Sequence, residues 1–468
     1  MKQLTEEQLF IIQQEVKQQQ RFKITAFAGT GKTSTLISYA LNRPNKQFLY
    51  LAFNKSMQLQ AAKRFPSNVV CKTIHSLAWM RNGHQFKDKI GSLKPYHIFD
   101  FLDLPNLIEA RFVLDTILNF IFSEDKKIKK KHIPFIKKIK LDYVDLAKRV
   151  WNAMLDPMNK AIPMEHDGYL KLFQIENEQL PYDIILLDEA QDSNPVTLGI
   201  LKNQKCPVIM VGDSHQQLYS FRGAINAMDE FEAELQANLT GSFRFDHNIA
   251  NLATALVSQF KDEDRLLRGL GGPSKIGKTG QRFALLSRTN AGLFDLAVEW
   301  HKTKKIHYLG GVDQIKPEMI LDIWKIWHGD AKMVQDSFLK RFRHFSELNE
   351  YAKDTEDREL QSRISIVEKY RYEIPMLVNK IRMRAIDIPK EADVLFTTVH
   401  KAKGLEFNEV KLHSDFTELT VDQTLKDPSK IEPEEINILY VAVTRAKKKL
   451  ELNEDLEFFK KLMPKPSE

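Results

Sequence analysis

The stretch TAFAGTGKTS, residues 25–34, decides the fold class. It places small residues directly before Lys32 and Thr33, as in loops whose backbone N–H groups bind phosphate. An apolar segment rich in β-formers precedes it, and apolar residues at helical spacing follow it. A strand, a small-residue loop and a helix predict a nucleotide-binding α/β domain, in which Lys32 reaches the β- and γ-phosphates and Thr33 holds Mg²⁺. The first position of the common GxxxxGKT pattern holds Ala26, so this stretch alone leaves a chance match open.

A second stretch, YDIILLDEAQDSNP at residues 182–195, ends in acidic residues. Its apolar first half predicts a buried strand, and ligands of open α/β sheets bind at the carboxyl ends of strands. Asp188 is therefore predicted to hold Mg²⁺, and Glu189 to orient and deprotonate an attacking water molecule. The alternative is an acidic loop in which Asp192 or Ser193 caps the next helix.

Composition limits the class of protein. The 468 residues are 43% hydrophobic and 28% charged, which is typical of a soluble chain with several domains. A formal net charge of +7 favours a polyanionic partner, although a merely basic surface gives the same value. The two cysteines, Cys71 and Cys206, have no metal-site or disulfide-framework spacing, which fits a reducing, cytoplasmic setting. Neither a signal peptide nor a membrane-spanning run is expected.

Seven further segments follow one another in the order of a known family. They are LTEEQ (4–8), TIHSLA (73–78), VGDSHQQLYSFRGA (211–224), LTGSFRF (239–245), LLSRTN (285–290), TTVHKAKGLEF (397–407) and LYVAVTRAKKKL (439–450). With LDEAQD, this series resembles the motifs of superfamily 1 DNA helicases of the UvrD, Rep and PcrA type. The wording of FNKS and SFRF is most similar to the F-box DNA helicase branch. Relatives commonly carry alanine where Ala26 stands, so the resemblance explains that departure.

The resemblance implies an α/β fold with two RecA-like P-loop NTPase lobes, each with a parallel sheet and a mainly helical insertion. Apolar residues recurring at intervals of three and four support the helical insertions. The expected divisions are 1–80 and 179–239 for the first lobe, 81–178 for its insertion with a basic patch, 240–309 and 391–468 for the second lobe, and 310–390 for its short insertion. The glycine-rich segment 265–280 is expected to be a loop or linker, and its GKTG is not expected to be a phosphate loop, because no apolar strand precedes it.

A lysine run, KKIKKKHIPFIKKIK at residues 126–140, lies in the first predicted insertion. Interleaved isoleucine and phenylalanine predict amphipathic helices that break near Pro134. The run either forms a solvated helix face or contacts the phosphates of a nucleic acid.

The resemblance implies the residues of an ATPase site. Catalytic roles are implied for Lys32, Glu189, Gln216, Arg244 and Arg445. Nucleotide contacts are implied for Gln8, Ala28, Gly29, Thr30, Gly31, Lys32, Thr33, Ser34, Phe243 and Glu406, and the Mg²⁺ ligands are Thr33 and Asp188. Arg244 and Arg445 correspond to arginine fingers, although Arg445 could instead be a surface residue, and Phe243 could equally belong to the core.

The resemblance also implies DNA contacts. The residues in question are Phe53, His75, Tyr219, Phe221, Arg222 and His400. Relatives usually have tryptophan at the position of Phe221, and phenylalanine still offers an aromatic face to a base. His75 and His400 could instead be structural.

The expected function is an ATP-dependent, Mg²⁺-requiring motor that moves 3′ to 5′ on single-stranded DNA and acts at junctions with duplex. Two alternatives stay open at this point. One is a translocase that strips proteins from DNA, and the other is a DNA-stimulated ATPase that serves as the motor subunit of a larger complex. Protein partners in DNA repair, recombination control or phage defence are expected, with a cytoplasmic, nucleoid-associated location.

Overall fold

The computed structural model describes residues 4–136, 141–218 and 227–463. The chain divides into two compact units, Met1–Gly241 and Ser242–Glu468. Each unit contains a parallel sheet with helices packed against it.

The first unit alternates strands and helices at its start and end, with a run of helices between. Its elements are α1 (Glu6–Gln13), β1 (Arg21–Ala26), α2 (Lys32–Leu41), β2 (Phe48–Ala52), α3 (Lys55–Ala62), β3 (Val69–Thr73), α4 (Ile74–Arg81), α5 (Pro95–Leu102), α6 (Leu107–Ile121), α7 (Tyr143–Leu155), α8 (His166–Glu176), β4 (Ile184–Leu187), α9 (Pro195–Lys202), β5 (Val208–Gly212), α10 (Ala227–Glu230) and β6 (Leu235–Leu239), and β7 (Gly241–Ser242) lies at the boundary.

The sheet of the first unit has the strand order β3-β2-β4-β5-β1-β6, and each neighbouring pair is parallel. Strands β2, β4 and β5 are buried along their whole length, which is why they are continuous apolar runs rather than alternating ones. Leu49 and Leu51 pack into one core cluster, whereas Phe48 and Tyr50 pack into another, as expected for side chains on opposite faces. Both faces of the sheet are therefore covered.

The lysine run differs from its prediction. Over residues 126–136, the described part of the run, the chain forms no α-helix and only one 3₁₀ turn, Lys130–His132. The Asp125 carboxylate accepts from Lys129 Nζ and Lys131 Nζ, each at 2.6 Å, and lies 3.1 Å from His132 Nε2. The amphipathic-helix prediction is wrong here, because the side chains of Lys129, Lys131 and His132 converge on the one carboxylate of Asp125 in a turn. Residues 137–140 lie outside the described part.

The second unit repeats the parallel arrangement. Its elements are α11 (His247–Lys261), β8 (Arg268–Gly269), β9 (Lys275–Ile276), β10 (Phe283–Ser287), α12 (Asn290–Trp300), β11 (Ile306–Tyr308), α13 (Pro317–His328), α14 (Phe345–Asp354), α15 (Arg358–Tyr370), α16 (Ile374–Arg384), β12 (Val394–Thr398), α17 (Val399–Ala402), β13 (Phe407–Leu412), β14 (Thr420–Val421), β15 (Thr424–Leu425), α18 (Pro433–Val443), β16 (Ala446–Glu451) and α19 (Glu454–Leu462). The sheet order is β11-β12-β10-β13-β16-β9, again with parallel pairs.

The glycine-rich segment 265–280 contains the short strands β8 and β9, so the expectation that it is entirely a loop is wrong. Neither strand is a buried apolar run, in agreement with the expectation that no apolar strand precedes GKTG. Strand β9 is two residues long, and strand β10 rather than a helix follows the glycines. A phosphate loop needs a helix at this point, so this second GKT is not one. The predicted α/β class with parallel sheets is confirmed, whereas the exact residue limits of lobes and insertions stay predictions.

Candidate nucleotide site

The loop between β1 and α2 has the backbone of a phosphate cradle. Gly29 and Gly31 have φ values of 75° and 81°, in the left-handed region that residues with a Cβ adopt only with strain. Thr30 is buried, and its hydroxyl donates to the Phe27 carbonyl oxygen at 2.9 Å, which closes the loop on itself. Ala26 ends β1 in extended conformation and needs no glycine.

The acidic end of β4 lies beside this loop. The Thr33 hydroxyl donates to Asp188 Oδ2 at 2.6 Å, and Lys32 Nζ lies 3.2 Å from Glu189 Oε2. The tertiary structure thus brings together two pairs of adjacent residues, and Thr33 of the first pair is 155 positions before Asp188 of the second. Helix α9 is capped by Asn194, which accepts from Thr197 N, so the capping role considered for Asp192 or Ser193 is wrong.

The electrostatics of the site favour a cation. Burial disfavours the charge of Lys32, but the carboxylates of Glu189, Asp213 and Asp188 outweigh this effect and raise its pKa. Burial and the neighbouring Glu189 raise the pKa of Asp188, against the hydrogen bond from Thr33 and the charge of Lys32. Three carboxylates near one ammonium group leave an excess of negative charge.

The oxygen donors fit Mg²⁺. The Thr33 hydroxyl and the Asp188 carboxylate are hard ligands of the kind that Mg²⁺ prefers, and such sites usually take their remaining ligands from substrate phosphates and water. No group of three or more histidine, cysteine or acidic side chains in the described ranges could hold a metal by itself.

Glu189 is held in an unusual conformation. Its φ and ψ are 53° and 43°, the left-handed region for a residue with a side chain. Gln191 Nε2 donates to Glu189 Oε2 at 2.7 Å, and Gln191 Oε1 accepts from Asp213 N at 2.9 Å. A Cβ at Gly212 would lie 2.7 Å from Gln191 Oε1, so only glycine leaves room for this bridge.

Three residues of the site were not predicted from the sequence: Tyr50, Gln191 and Asp213. Gln191 and Asp213 stand inside the quoted motifs LDEAQD and VGDSHQQ, where a polar residue next to a catalytic one was a usable signal. The Tyr50 hydroxyl donates to Asp188 Oδ2 at 2.7 Å. Its signal was a single polar atom in the otherwise apolar strand β2.

Gln216 lies at the same end of the sheet. Its Nε2 donates to Asp213 Oδ2 at 2.5 Å, and it is buried. The ring of His215 stacks on Phe27 of the phosphate loop with centroids 5.8 Å apart. The segment after β5 therefore contacts the loop directly. Tyr219, Phe221 and Arg222, the predicted DNA contacts of this segment, lie outside the described residues.

Gln8 serves the local fold. Its Oε1 accepts from Thr5 N at 3.1 Å in a capping box, and its Nε2 donates to Thr35 Oγ1 at 3.1 Å. These bonds join α1 to α2 just after the phosphate loop, and the adenine contact of Gln8 stays a prediction. Ser34 accepts from the exposed Arg64 at 3.0 Å.

The remaining predicted ATPase residues lie in the second unit. Arg244 Nε lies 2.9 Å from Glu406 Oε2, and its Nη1 donates to the Thr444 carbonyl oxygen at 2.9 Å. Arg445 is 1% exposed, and its Nε and Nη1 donate to the Val441 and Leu405 carbonyl oxygens, each at 3.1 Å. The surface interpretation of Arg445 is therefore wrong.

Phe243 and the candidate DNA contacts have mixed surroundings. Phe243 and His400 are partly buried, and Phe53 is 36% exposed after β2. His75 Nε2 lies 3.0 Å from Asp167 Oδ1 in a cavity of about 540 Å³ that Trp79 and Tyr169 also line. Their DNA and nucleotide roles stay predictions.

Two protein-family descriptions match this chain, and together they cover residues 8–454. The UvrD-like helicase C-terminal domain matches residues 123–454, and an AAA domain matches residues 8–222. The chain belongs to the UvrD-like helicase family. The membership predicted from the motifs is confirmed, and with it the RecA-like class of the two parallel sheets.

Two curated UvrD-like relatives match nearly the whole chain. F-box DNA helicase 1 of Gallus gallus is 37% identical, covering 97% of this chain and 49% of the relative. F-box DNA helicase protein 1 of Schizosaccharomyces pombe is 30% identical, covering 97% of this chain and 58% of the relative. The chain thus spans about half the length of these relatives.

Among solved structures, that of PRRSV helicase matches at 12% identity, covering 96% of this chain and 55% of that one. The TM-score of 0.35 is too low for this match to support a statement about the fold. No helix in the described part of this UvrD-like chain is long and apolar enough to cross a membrane.

Proposed function

We propose that this chain is an ATP-dependent, Mg²⁺-requiring motor that moves 3′ to 5′ along single-stranded DNA and separates strands at junctions. The observation that carries the proposal is the convergence of Lys32, Thr33, Asp188 and Glu189 at one edge of a parallel sheet. The two F-box DNA helicase relatives support DNA as the track.

The described residues account for the steps of hydrolysis. The N–H groups of the phosphate loop and the Lys32 ammonium group bind the phosphates. Mg²⁺, when bound, supplies positive charge that neutralises the phosphate oxygens. Glu189 accepts the proton of the attacking water, and Gln191 holds its carboxylate in place at 2.7 Å.

The Lys32–Glu189 ion pair joins a phosphate-binding group to the proposed general base. The Lys32 ammonium group and the Glu189 carboxylate lie 3.2 Å apart and form an ion pair. A bound phosphate competes with Glu189 for Lys32, and the released carboxylate is then free to act as a base. Nucleotide binding thereby activates the base that will act on the nucleotide.

The second unit contributes the other predicted groups. Arg244 and Arg445 are proposed to stabilise charge on the γ-phosphate, Phe243 to stack on adenine and Glu406 to contact the ribose or γ-phosphate. The two lobes and their insertions are proposed with the limits expected from the sequence. The motif order of the second unit supports these assignments.

The test uses the purified chain. We expect ATPase activity that requires Mg²⁺ and rises with single-stranded DNA, and unwinding of a 3′-tailed but not a 5′-tailed duplex. Lys32→Ala is the inactive control. Absence of ATPase activity overturns the proposal, and unwinding from a 5′ tail overturns its polarity.

A second assay measures the displacement of proteins from DNA. Displacement of streptavidin from biotinylated single strands, without unwinding of any tailed duplex, favours the translocase that strips proteins. DNA-stimulated hydrolysis with neither activity favours a motor subunit of a larger repair or defence complex.

A further inference from the structure

Tyr50 brings a hydroxyl group into an apolar strand. Strand β2 has the sequence FLYLA and is buried throughout. Tyr50 is 1% exposed, and its ring packs against Phe65 with centroids 4.6 Å apart. Phenylalanine would fill the same space, so packing alone does not explain the hydroxyl. A buried hydroxyl without a partner costs stability, and this one donates to Asp188 Oδ2 at 2.7 Å.

Asp188 receives three hydrogen bonds. Oδ2 accepts from Thr33 Oγ1 at 2.6 Å and from Tyr50, and Oδ1 accepts from Glu189 N at 2.9 Å. Asp188 itself is 1% exposed, so protein donors replace the water that would otherwise solvate its charge. Three donors on two oxygens therefore fix the orientation of the carboxylate.

The three groups that donate to Asp188 belong to different parts of the structure. Thr33 lies in the first turn of α2, directly after the proposed phosphate loop, and Glu189 has a strained backbone. Tyr50 belongs to a strand paired with β4 on one side and β3 on the other, and Asp188 N donates to the Leu51 carbonyl oxygen at 3.2 Å. Tyr50 is therefore the donor that the sheet itself fixes relative to Asp188.

We propose that Tyr50 is a positioning residue of the metal site, whose hydroxyl holds the Asp188 carboxylate in the orientation that receives nucleotide-bound Mg²⁺. The inference rests on the proposed ATPase function. Tyr50 touches neither nucleotide nor metal in this scheme, and it acts through Asp188. Residues that orient metal ligands typically change metal affinity or activity by about 10- to 100-fold when removed.

The test is Tyr50→Phe, which removes the hydroxyl and keeps the ring. Binding of a fluorescent ADP analogue is titrated with Mg²⁺, and is also measured in a chelator without Mg²⁺. We expect the affinity of Tyr50→Phe for the ADP analogue without Mg²⁺ to stay within about twofold of wild type. The Mg²⁺ concentration that gives half of the maximal change in this affinity should rise by about tenfold or more. The melting temperature is recorded on the same preparations.

Tyr39→Phe is the matched control. Tyr39 is fully buried in the same unit, and its hydroxyl donates to the Gln14 carbonyl oxygen at 3.0 Å rather than to a carboxylate of the candidate site. We expect this variant to keep the Mg²⁺ dependence of the wild type. A shift of equal size in both variants would overturn the positioning role.

The remaining outcomes separate the two proposals. An unchanged Mg²⁺ dependence in Tyr50→Phe overturns the role of Tyr50 and leaves the ATPase proposal intact. Loss of binding with and without Mg²⁺, together with a lower melting temperature, assigns the hydroxyl to the fold and also overturns it. If the nucleotide affinity of the wild-type chain does not depend on Mg²⁺, the proposed Mg²⁺-requiring function is overturned. The proposed role of Tyr50 is then overturned as well.

Discussion

At the scale of single residues, Glu189 combines a strained backbone with a doubly held side chain. Its left-handed conformation costs about 1–3 kcal/mol for a residue with a Cβ. The contacts with Lys32 at 3.2 Å and Gln191 at 2.7 Å keep the carboxylate in place against that strain. Strain of this kind persists where surrounding contacts over-determine it, and it clusters at functional sites.

The first prediction concerns Glu189→Gln. The amide cannot accept a proton from water, so turnover should fall by about 10²- to 10⁴-fold. ATP binding should remain, because the phosphate loop and Lys32 are unchanged. Steady-state hydrolysis and equilibrium nucleotide binding measure the two quantities separately. Glu178→Gln, at an exposed ion pair with Arg81, is the control, and near-normal turnover in Glu189→Gln would exclude Glu189 as the base.

The second prediction concerns Arg445→Ala. Turnover should fall on the order of 10³-fold if Arg445 acts as an arginine finger. The melting temperature should fall as well, because the variant loses a buried side chain and its hydrogen bonds to the Val441 and Leu405 carbonyl oxygens. Hydrolysis is compared at a temperature where both proteins remain folded.

Arg363→Ala separates the two effects of Arg445→Ala. Arg363 is also buried in the second unit, where it pairs with Glu359 at 2.9 Å. Its removal should lower the melting temperature and leave turnover nearly unchanged. If folded Arg445→Ala also hydrolyses ATP at close to the wild-type rate, Arg445 has a structural role alone.

At the scale of elements, the lysine run shows how one acid redirects a segment. Apolar residues interleaved with lysines predict a helix, yet Asp125 gathers Lys129, Lys131 and His132 at 2.6, 2.6 and 3.1 Å. Asn119 Nδ2 also donates to the His132 carbonyl oxygen at 2.8 Å and ties the turn to α6. Lys126, Lys127 and Lys130 remain exposed outside this cluster. The run therefore presents two classes of lysine.

The third prediction uses that difference. Replacing Lys126, Lys127 and Lys130 together by glutamine should weaken DNA binding at all sequences, because phosphate contacts carry no sequence information. The plot of log affinity against log salt concentration has a negative slope. Its magnitude should decrease by about 2 if all three lysines contact single-stranded phosphates, at roughly 0.7 per contact. Binding is measured over a range of salt concentrations.

The control for the lysine variant changes the same amount of charge elsewhere. Lys302, Lys304 and Lys305 are exposed in the second unit, and their triple glutamine variant should keep the wild-type salt slope. Equal slopes for both triple variants and the wild type would leave residues 126–136 as a solvated loop without a DNA contact.

At the scale of the whole molecule, the two units carry different parts of the predicted machinery. The phosphate loop and the acidic strand end belong to Met1–Gly241, whereas Arg244 and Arg445 belong to Ser242–Glu468. The segment after β5 begins at the nucleotide site with Gln216, whose amide bonds Asp213 at 2.5 Å. The same short segment continues to Phe221, so it can link nucleotide and DNA without a long pathway.

The fourth prediction tests that link. Phe221→Ala should keep basal ATPase activity and lose most of its stimulation by DNA, because a stacked base contributes roughly 1–3 kcal/mol. Phe221→Trp should retain stimulation, since an indole also stacks. Basal ATPase, DNA-stimulated ATPase and melting temperature are measured on one preparation. Full stimulation in a stable alanine variant would exclude stacking, and joint loss of stability and basal activity would indicate a core residue.

Prediction of the site from sequence succeeded where a residue belongs to a local pattern. Thr33 and Asp188 were each predicted from their own segment, and their hydroxyl and carboxylate lie 2.6 Å apart. Tyr50 was missed, because its bond to Asp188 depends on which strands become neighbours. Gln191 and Asp213 stand inside the motifs, but their bond to each other also forms only when β4 and β5 are paired. The lysine helix was predicted wrongly, because helical spacing ignores the ion pairs that a nearby acid can form in three dimensions.

The sequence by itself determined the α/β class, the phosphate loop and the membership of the UvrD-like family, because small residues, apolar runs and motif order are local properties of the chain. Only the tertiary structure decided that β2 lies beside β4 and β5 beside both β4 and β1. That order brings Tyr50 to Asp188 and lets Gln191 join Glu189 to Asp213. Such contacts join residues far apart in the chain, and their energies depend on burial and distance, which exist only once the sheet has formed.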